Sequence, residues 1–220
     1  MATRDLMPHR NAQLRNATAF SVDIVNSTHY AATMPVRELR NLLLGYYQLC
    51  QREIERHHGQ VIRYIGDGVL ALFDTSEPAD VDQLNAIMCG LTILSSGYDF
   101  CGRPVRLRVT AATGDVLIDD APRENGRQVP VFGEVFTIVA RMKDLTPVDS
   151  MVMDGSILKR ASGLCQCEKL GKHALKGFKH PFELVEVQSI NHSNGARRKQ
   201  NTDYDGRLFE PELRDYAVMI

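Results

Sequence analysis

The chain has 220 residues and a mass of 24.7 kDa, with 44% hydrophobic and 24% charged side chains. These proportions exclude a disordered, collagenous or coiled-coil protein. Lys and Arg total 26 against 27 Asp and Glu, a net charge of -1. A nucleic-acid-binding domain usually carries a basic excess, so no nucleic-acid partner is expected and any phosphate must be met locally. No apolar run approaches the roughly 18 residues of a membrane-spanning helix, and MATRDLMPHRNAQLRN has no apolar signal core; a cytoplasmic protein is expected. The cysteines fit that compartment. Cys50 and Cys89 read as reduced core residues, and Cys165-x-Cys167 lacks a second pair at zinc spacing.

Residues 1–16 are polar and read as a flexible lead-in. Ala17–Ile24 reads as a strand ending in an acid, Asp23. Asn26, Ser27 and Thr28 then offer helix-capping chemistry. After Pro35, residues Leu39, Leu42, Leu43, Tyr46, Cys50 and Ile54 recur at spacings of three and four, which predicts a long amphipathic helix ending at His57-His58-Gly59. QVIRYIGDGVLALFD predicts a hairpin turning at Gly66-Asp67-Gly68. A second helix opens near Pro78, with Val81, Leu84, Ile87, Met88, Leu91 and Leu94 as its apolar stripe. Val105–Asp119 alternates and is expected to turn at Gly114-Asp115. A short helix spans about Glu134 to Leu145, and FELVEV is the last strand. From residue 188 the chain turns polar, a linker before a tail, RLFEPELRDYAVMI, whose apolar end is expected to dock. This order predicts an α+β protein with its helices on one face of the sheet.

Asp23 ends the first strand and Asp67 tops the hairpin. If those strands are neighbours, the two carboxylates meet at one edge. They repel each other unless a cation lies between them, which makes a hard-oxygen site for Mg²⁺ or Mn²⁺. Taken singly, each is equally a turn or cap aspartate. The strand-to-helix passage Ile24-Val25-Asn26-Ser27-Thr28 adds free backbone N–H groups of the kind that hold a triphosphate; a plain capping turn fits the same residues but leaves Asp23 unexplained.

Taken in order, FSVDIVNST, HHGQVIRYIGDGVLALF, FGEVFTIVARM and LKGFKHPFELVEV resemble a class III nucleotidyl cyclase catalytic domain over roughly residues 17–187. The resemblance implies a ferredoxin-like βαββαβ core with a mostly antiparallel sheet and flanking helices. It implies two divalent ions, Mn²⁺ or Mg²⁺, held by Asp23, Asp67 and the Ile24 carbonyl. It makes Arg141 the transition-state arginine and puts Lys176 within reach of the terminal phosphates. It also implies a head-to-tail homodimer with two shared sites, each taking Asp23 and Asp67 from one chain and Arg63, Thr137 and Arg141 from the other.

The departures from the family pattern concern the base. Adenylyl cyclases place a Lys four residues before the second metal aspartate; here it is Arg63. The second base-reading position falls on Pro130, the ribose-orienting Asn is Thr137, and the F-x-D pattern is shifted, with Phe20 and Ser21 before Asp23. The metal and phosphate residues are kept while the purine-reading set is gone. A decayed, non-catalytic nucleotide-binding dimerisation module and a changed base both explain that. The changed base is favoured, because decay removes metal ligands and the arginine as readily. An arginine fork offers only donors; uracil presents two carbonyl acceptors, and cytosine one carbonyl and a donor amine. Tyr64 is a further candidate contact, although strand neighbours face opposite ways. Arg106 and Arg108 are in reserve, with an exposed basic strand face as their plainer reading.

In these respects the chain resembles the pyrimidine cyclases of bacterial Pycsar anti-phage systems. That resemblance implies a lyase converting UTP to cyclic UMP, and a separate effector protein answering the messenger. CTP, or a purine nucleotide in an adenylyl or guanylyl cyclase, is the alternative. A diguanylate cyclase is disfavoured, since GDGVL is a poor GGDEF signature.

Overall fold

The computed structural model describes residues 12–75, 79–119, 131–160 and 163–191. Pro130, the lead-in before residue 12, and the linker and tail beyond residue 191 lie outside the described residues.

In chain order the elements are β1 (Ala12–Ile24), α1 (Ser27–Thr33), α2 (Val36–Arg56), β2 (Gln60–Ile65), β3 (Gly68–Phe73), α3 (Ala79–Ser96), β4 (Tyr98–Phe100), β5 (Arg103–Val105), β6 (Leu107–Asp119), β7 (Val131–Phe132), α4 (Glu134–Met142), β8 (Met151–Asp154), α5 (Ile157–Arg160), β9 (Cys165–His173) and β10 (Phe182–Ile190). The main sheet runs β2-β3-β1-β6-β8-β10-β9, with β7 added to β6; β4 and β5 form a separate ribbon. All its pairs are antiparallel except β6 with β8. This is the expected α+β fold with a mostly antiparallel sheet.

Several expectations are corrected. The first strand starts at Ala12, five residues early, because Ala12–Asn16 pair in register with Asp119–Asp115 of β6. No turn occurs at Gly114-Asp115: β6 runs straight through it, and a Cβ on Gly114 would lie 2.7 Å from Val135 Cγ1. This glycine therefore lets α4 approach the sheet. The helices also cover both faces. Phe20, Val22 and Ile24 of β1 join Leu42, Tyr46 and Ile54 of α2 and Ile87 and Ile93 of α3 in one apolar cluster. Ala17 and Ala19 join Val135, Ile138, Val139 and Met142 of α4 in the other.

Period-2 alternation in β1 serves both clusters at once. Phe20 anchors the first, edge-to-face on Phe73 with centroids 5.4 Å apart. The α2 stripe is as predicted, with Leu42, Tyr46, Cys50 and Ile54 buried. The α3 stripe is rotated. Val81 and Met88 are exposed by more than a third, whereas Asp82, Gln83, Ala86, Cys89 and Ile93 are buried. Gly90 lies on the side that meets the sheet, where a Cβ would lie 2.5 Å from Met151 Sδ. None of the described helices is long and apolar enough to cross a membrane.

Candidate active site

The sheet register brings the two aspartates together. Val22 of β1 pairs with Val69 of β3, so the next step along β1 carries Asp23 to the hairpin tip that holds Asp67. That tip is a two-residue loop, Gly66-Asp67, between β2 and β3. Gly66 adopts φ +60°, a conformation open to glycine, as the tight turn requires. Asp23 is only 6% exposed. Burial pushes its carboxyl up to about 6; the Lys143 ammonium and Arg108 guanidinium pull it back down, while the Asp67 and Asp144 carboxylates add to the rise.

A buried carboxylate with acids beside it lacks part of its counter-charge, and a hard divalent cation is what such oxygen donors suit. The two aspartates therefore fit Mg²⁺ or Mn²⁺, with the Ile24 carbonyl at the end of β1 as a further oxygen. Among the described residues no group of three or more His, Cys, Asp or Glu side chains forms a metal cluster.

The other predicted residues fall on distinct elements. Asn26 takes a left-handed conformation, φ 59°, and turns the chain from β1 into α1. The backbone N–H groups of Ser27 and Thr28 open that helix, and both side chains are at least partly exposed. A β-bulge between Val61 and Arg63 breaks the alternation of β2. Arg63 pairs with Leu70, which pairs in turn with Ser21 two residues from Asp23, so Arg63 shares the face of Asp23 and α4. Tyr64 points the other way. Its ring lies 4.6 Å from that of Tyr47, and its hydroxyl donates to Gln51 Oε1 of α2 at 3.2 Å. The structure therefore does not place Tyr64 beside Arg63, because the bulge pairs Ile62 with Arg63 on one side and leaves Tyr64 on the opposite one.

Thr137 and Arg141 lie one turn apart on the exposed side of α4, whose other side buries Val135, Ile138, Val139 and Met142. Arg141 has no ion pair among the described residues. Lys176 is exposed in the turn between β9 and β10, where the Phe178 N–H donates to the Leu175 carbonyl and Leu175 is buried.

The two reserve arginines have different surroundings. Arg106 is tied in an ion pair to Asp149. Arg108 is directly opposite Asp23 in the β1–β6 register, and its buried Nε has no hydrogen-bond partner. Alternation along the expected strand Val105–Asp119 puts both arginines on one face, but only the strand pairing shows which meets the acid. Lys143 and Asp144, in a 3₁₀ turn after α4, also reach the field of Asp23. Nothing in their local sequence marked them.

The sequence profile of the adenylate and guanylate cyclase catalytic domain matches residues 10–188. The chain belongs to that family. It is 26% identical over 193 residues to an uncharacterised protein of Rhizobium meliloti, covering 86% of this chain and 19% of that one. It is 20% identical over 190 residues to Adenylate cyclase 1 of the same species, covering 82% of this chain and 29% of that one. The cyclase domain thus spans less than a third of either relative. Among solved structures, the adenylyl cyclase CyaB from P. aeruginosa superposes with a TM-score of 0.72 at 19% identity, over 84% of this chain and 100% of that one. The guanylate cyclase domain of RhGC from Catenaria anguillulae, in complex with GTP, gives 0.73 at 17% identity, over 81% and 100%. These likenesses establish the cyclase fold.

Proposed function

We propose that this cyclase domain converts a pyrimidine nucleoside triphosphate, UTP ahead of CTP, into its 3′,5′-cyclic monophosphate and pyrophosphate. The observation that carries this reading is the meeting of Asp23 with the Asp67 turn, while Arg63, which each shared site draws from the other chain, stands where purine cyclases have a lysine. When bound at the aspartates, Mg²⁺ or Mn²⁺ lowers the pKa of the ribose 3′-hydroxyl and neutralises phosphate charge. The 3′-oxygen then bonds to the α-phosphorus as its proton passes to water, and the bond to the β-phosphate oxygen breaks to release pyrophosphate. Asp23 and Asp67 fix the metal end of the substrate. Arg108, opposite Asp23 and with a buried Nε that has no hydrogen-bond partner among the described residues, meets the polyphosphate, and Lys176 its terminal end. Arg141 stabilises charge growing on the α-phosphate, and Thr137 orients the ribose. Asn26, Ser27 and Thr28 lend backbone N–H groups, and Arg63 donates to the uracil carbonyls.

An exposed apolar row supports a second copy of the chain. Leu14 pairs with Leu117, which pairs with Phe132, and these are 70%, 38% and 62% exposed. Contiguous apolar surface of this kind marks protein contacts. Arg63, exposed on β2, and Arg141 and Thr137, turned outward on α4, then serve the partner's aspartates. As in the Pycsar systems the sequence resembles, the messenger is read as a signal to a separate effector in anti-phage defence.

Incubation with each of the four ribonucleoside triphosphates and Mn²⁺ checks the reading. Cyclic UMP as main product, with cyclic CMP second, is expected. Cyclic AMP or GMP would assign a purine cyclase, and binding without turnover a non-catalytic module. Arg63→Ala is expected to lose discrimination between UTP and the other nucleotides by roughly tenfold or more, since an unmet base edge in a closed pocket is penalised. A variant that keeps the wild-type ratio of kcat/KM values rules out Arg63 as the base reader.

A further inference from the structure

Tyr47 of α2 is buried, 3% exposed, and its hydroxyl donates to the backbone carbonyl of Gly66. That carbonyl belongs to the central peptide of the two-residue loop, the peptide joining Gly66 to Asp67. Rotating this peptide by half a turn interconverts the two common forms of such loops. Rotation would also swing the backbone from which the Asp67 side chain projects. Gly66 has φ +60° and Asp67 is not among the residues of positive φ, so the loop holds one form, with glycine as its first central residue. The phenol ties down the one carbonyl that must move for the loop to change.

The surroundings make Tyr47 a rigid anchor. It packs 4.6 Å from the ring of Tyr64 on β2 and 5.7 Å from that of Tyr46. One helical turn further on, Gln51 accepts the Tyr64 hydroxyl. The helix therefore grips the hairpin at two points beneath the acid-bearing tip. A phenylalanine would supply the same packing, so the hydroxyl has a separate task.

We infer that Tyr47 is a positioning residue for metal binding: its hydroxyl fixes the Gly66-Asp67 peptide and so holds the Asp67 carboxylate towards Asp23. This rests on the reading of Asp67 as a metal ligand. The test is binding of Mn²⁺ alone, followed by the EPR signal of the free ion, to wild type, Tyr47→Phe, Asp67→Ala and Tyr98→Phe. Tyr98→Phe removes a comparable hydroxyl, one that donates to the Leu42 carbonyl of the same helix at 2.7 Å, away from the loop. Tyr47→Phe is expected to weaken Mn²⁺ binding about two- to tenfold, the weight of one hydrogen bond, while Tyr98→Phe leaves it unchanged. Its activity should need more Mn²⁺ and return to the wild-type kcat at saturating metal. In amide NMR spectra the Asp67 resonance should broaden or double in Tyr47→Phe. Wild-type Mn²⁺ affinity and a single sharp Asp67 resonance in Tyr47→Phe would overturn the inference, as would equal weakening by Tyr98→Phe. If Asp67→Ala binds Mn²⁺ like wild type, the ligand assignment of Asp67 itself fails and the positioning role goes with it.

Discussion

Asp23→Asn is expected to reduce turnover by roughly a thousandfold or more, because it removes a proposed metal ligand, a loss worth several kcal/mol at the barrier. The same substitution is expected to stabilise the metal-free chain at neutral pH. The sign follows from burial. The Asp23 carboxyl titrates at about 6 in the folded chain against 3.8 as a free group. The folded state therefore holds its proton more tightly than the unfolded one. Stability from this group is full below pH 3.8 and is lost as pH rises through 6. At pH 7.5 the wild-type chain carries a penalty on the order of 2 to 3 kcal/mol, which the uncharged amide avoids. Thermal unfolding in EDTA should give Asp23→Asn the higher Tm at pH 7.5, with the gap closing at pH 4. Added Mn²⁺ should raise the wild-type Tm and leave that of Asp23→Asn nearly unmoved. Retained turnover would end the metal assignment. A lower Tm for the variant in EDTA at pH 7.5 would end the account of Asp23 as a destabilised, cation-seeking acid.

The sequence made the local features of this site visible and hid the long-range ones. Periodicity located α2 because its polar and apolar faces are distinct. It misplaced the buried stripe of α3, which is apolar around most of its circumference, so that only Gly90 and the close approach to Met151 reveal which side meets the sheet. Gly114-Asp115 has the composition of a turn, but its glycine is there for Val135, a contact made twenty-one residues later. The hairpin tip was legible because a two-residue loop needs glycine. The bulge in β2 was not, since it depends on register with β3, and it decides that Arg63 shares a side with Ile62 instead of Tyr64. Arg108 shows the same limit. Alternation in the sequence puts it on one face with Arg106, but only pairing with β1 separates an arginine facing Asp23 from one tied to Asp149.

Arg141→Ala is expected to lower kcat by roughly a hundred- to a thousandfold with little change in KM, the pattern of a group that acts mainly on developing charge. We propose the partner's substrate as its target. Arg141 and Thr137 project from the side of α4 that faces away from the sheet, and Arg141 has no ion pair among the described residues to occupy it. Asp23 and Asp67 belong instead to the tips of β1 and the β2–β3 hairpin. In a two-fold dimer each site then draws its aspartates from one chain and its arginine from the other. Asp67→Ala and Arg141→Ala chains should each be nearly inactive alone. When they are mixed in equal amounts and allowed to exchange, half the dimers are mixed. Each mixed dimer contains one site with both lesions and one with neither, so activity should recover to about a quarter of wild type. Sites built within single chains predict no recovery at all, because every chain in the mixture carries one lesion. Recovery that rises with protein concentration would tie activity to assembly, and its absence, in a mixture shown to exchange subunits, would place Arg141 and the aspartates in the same chain.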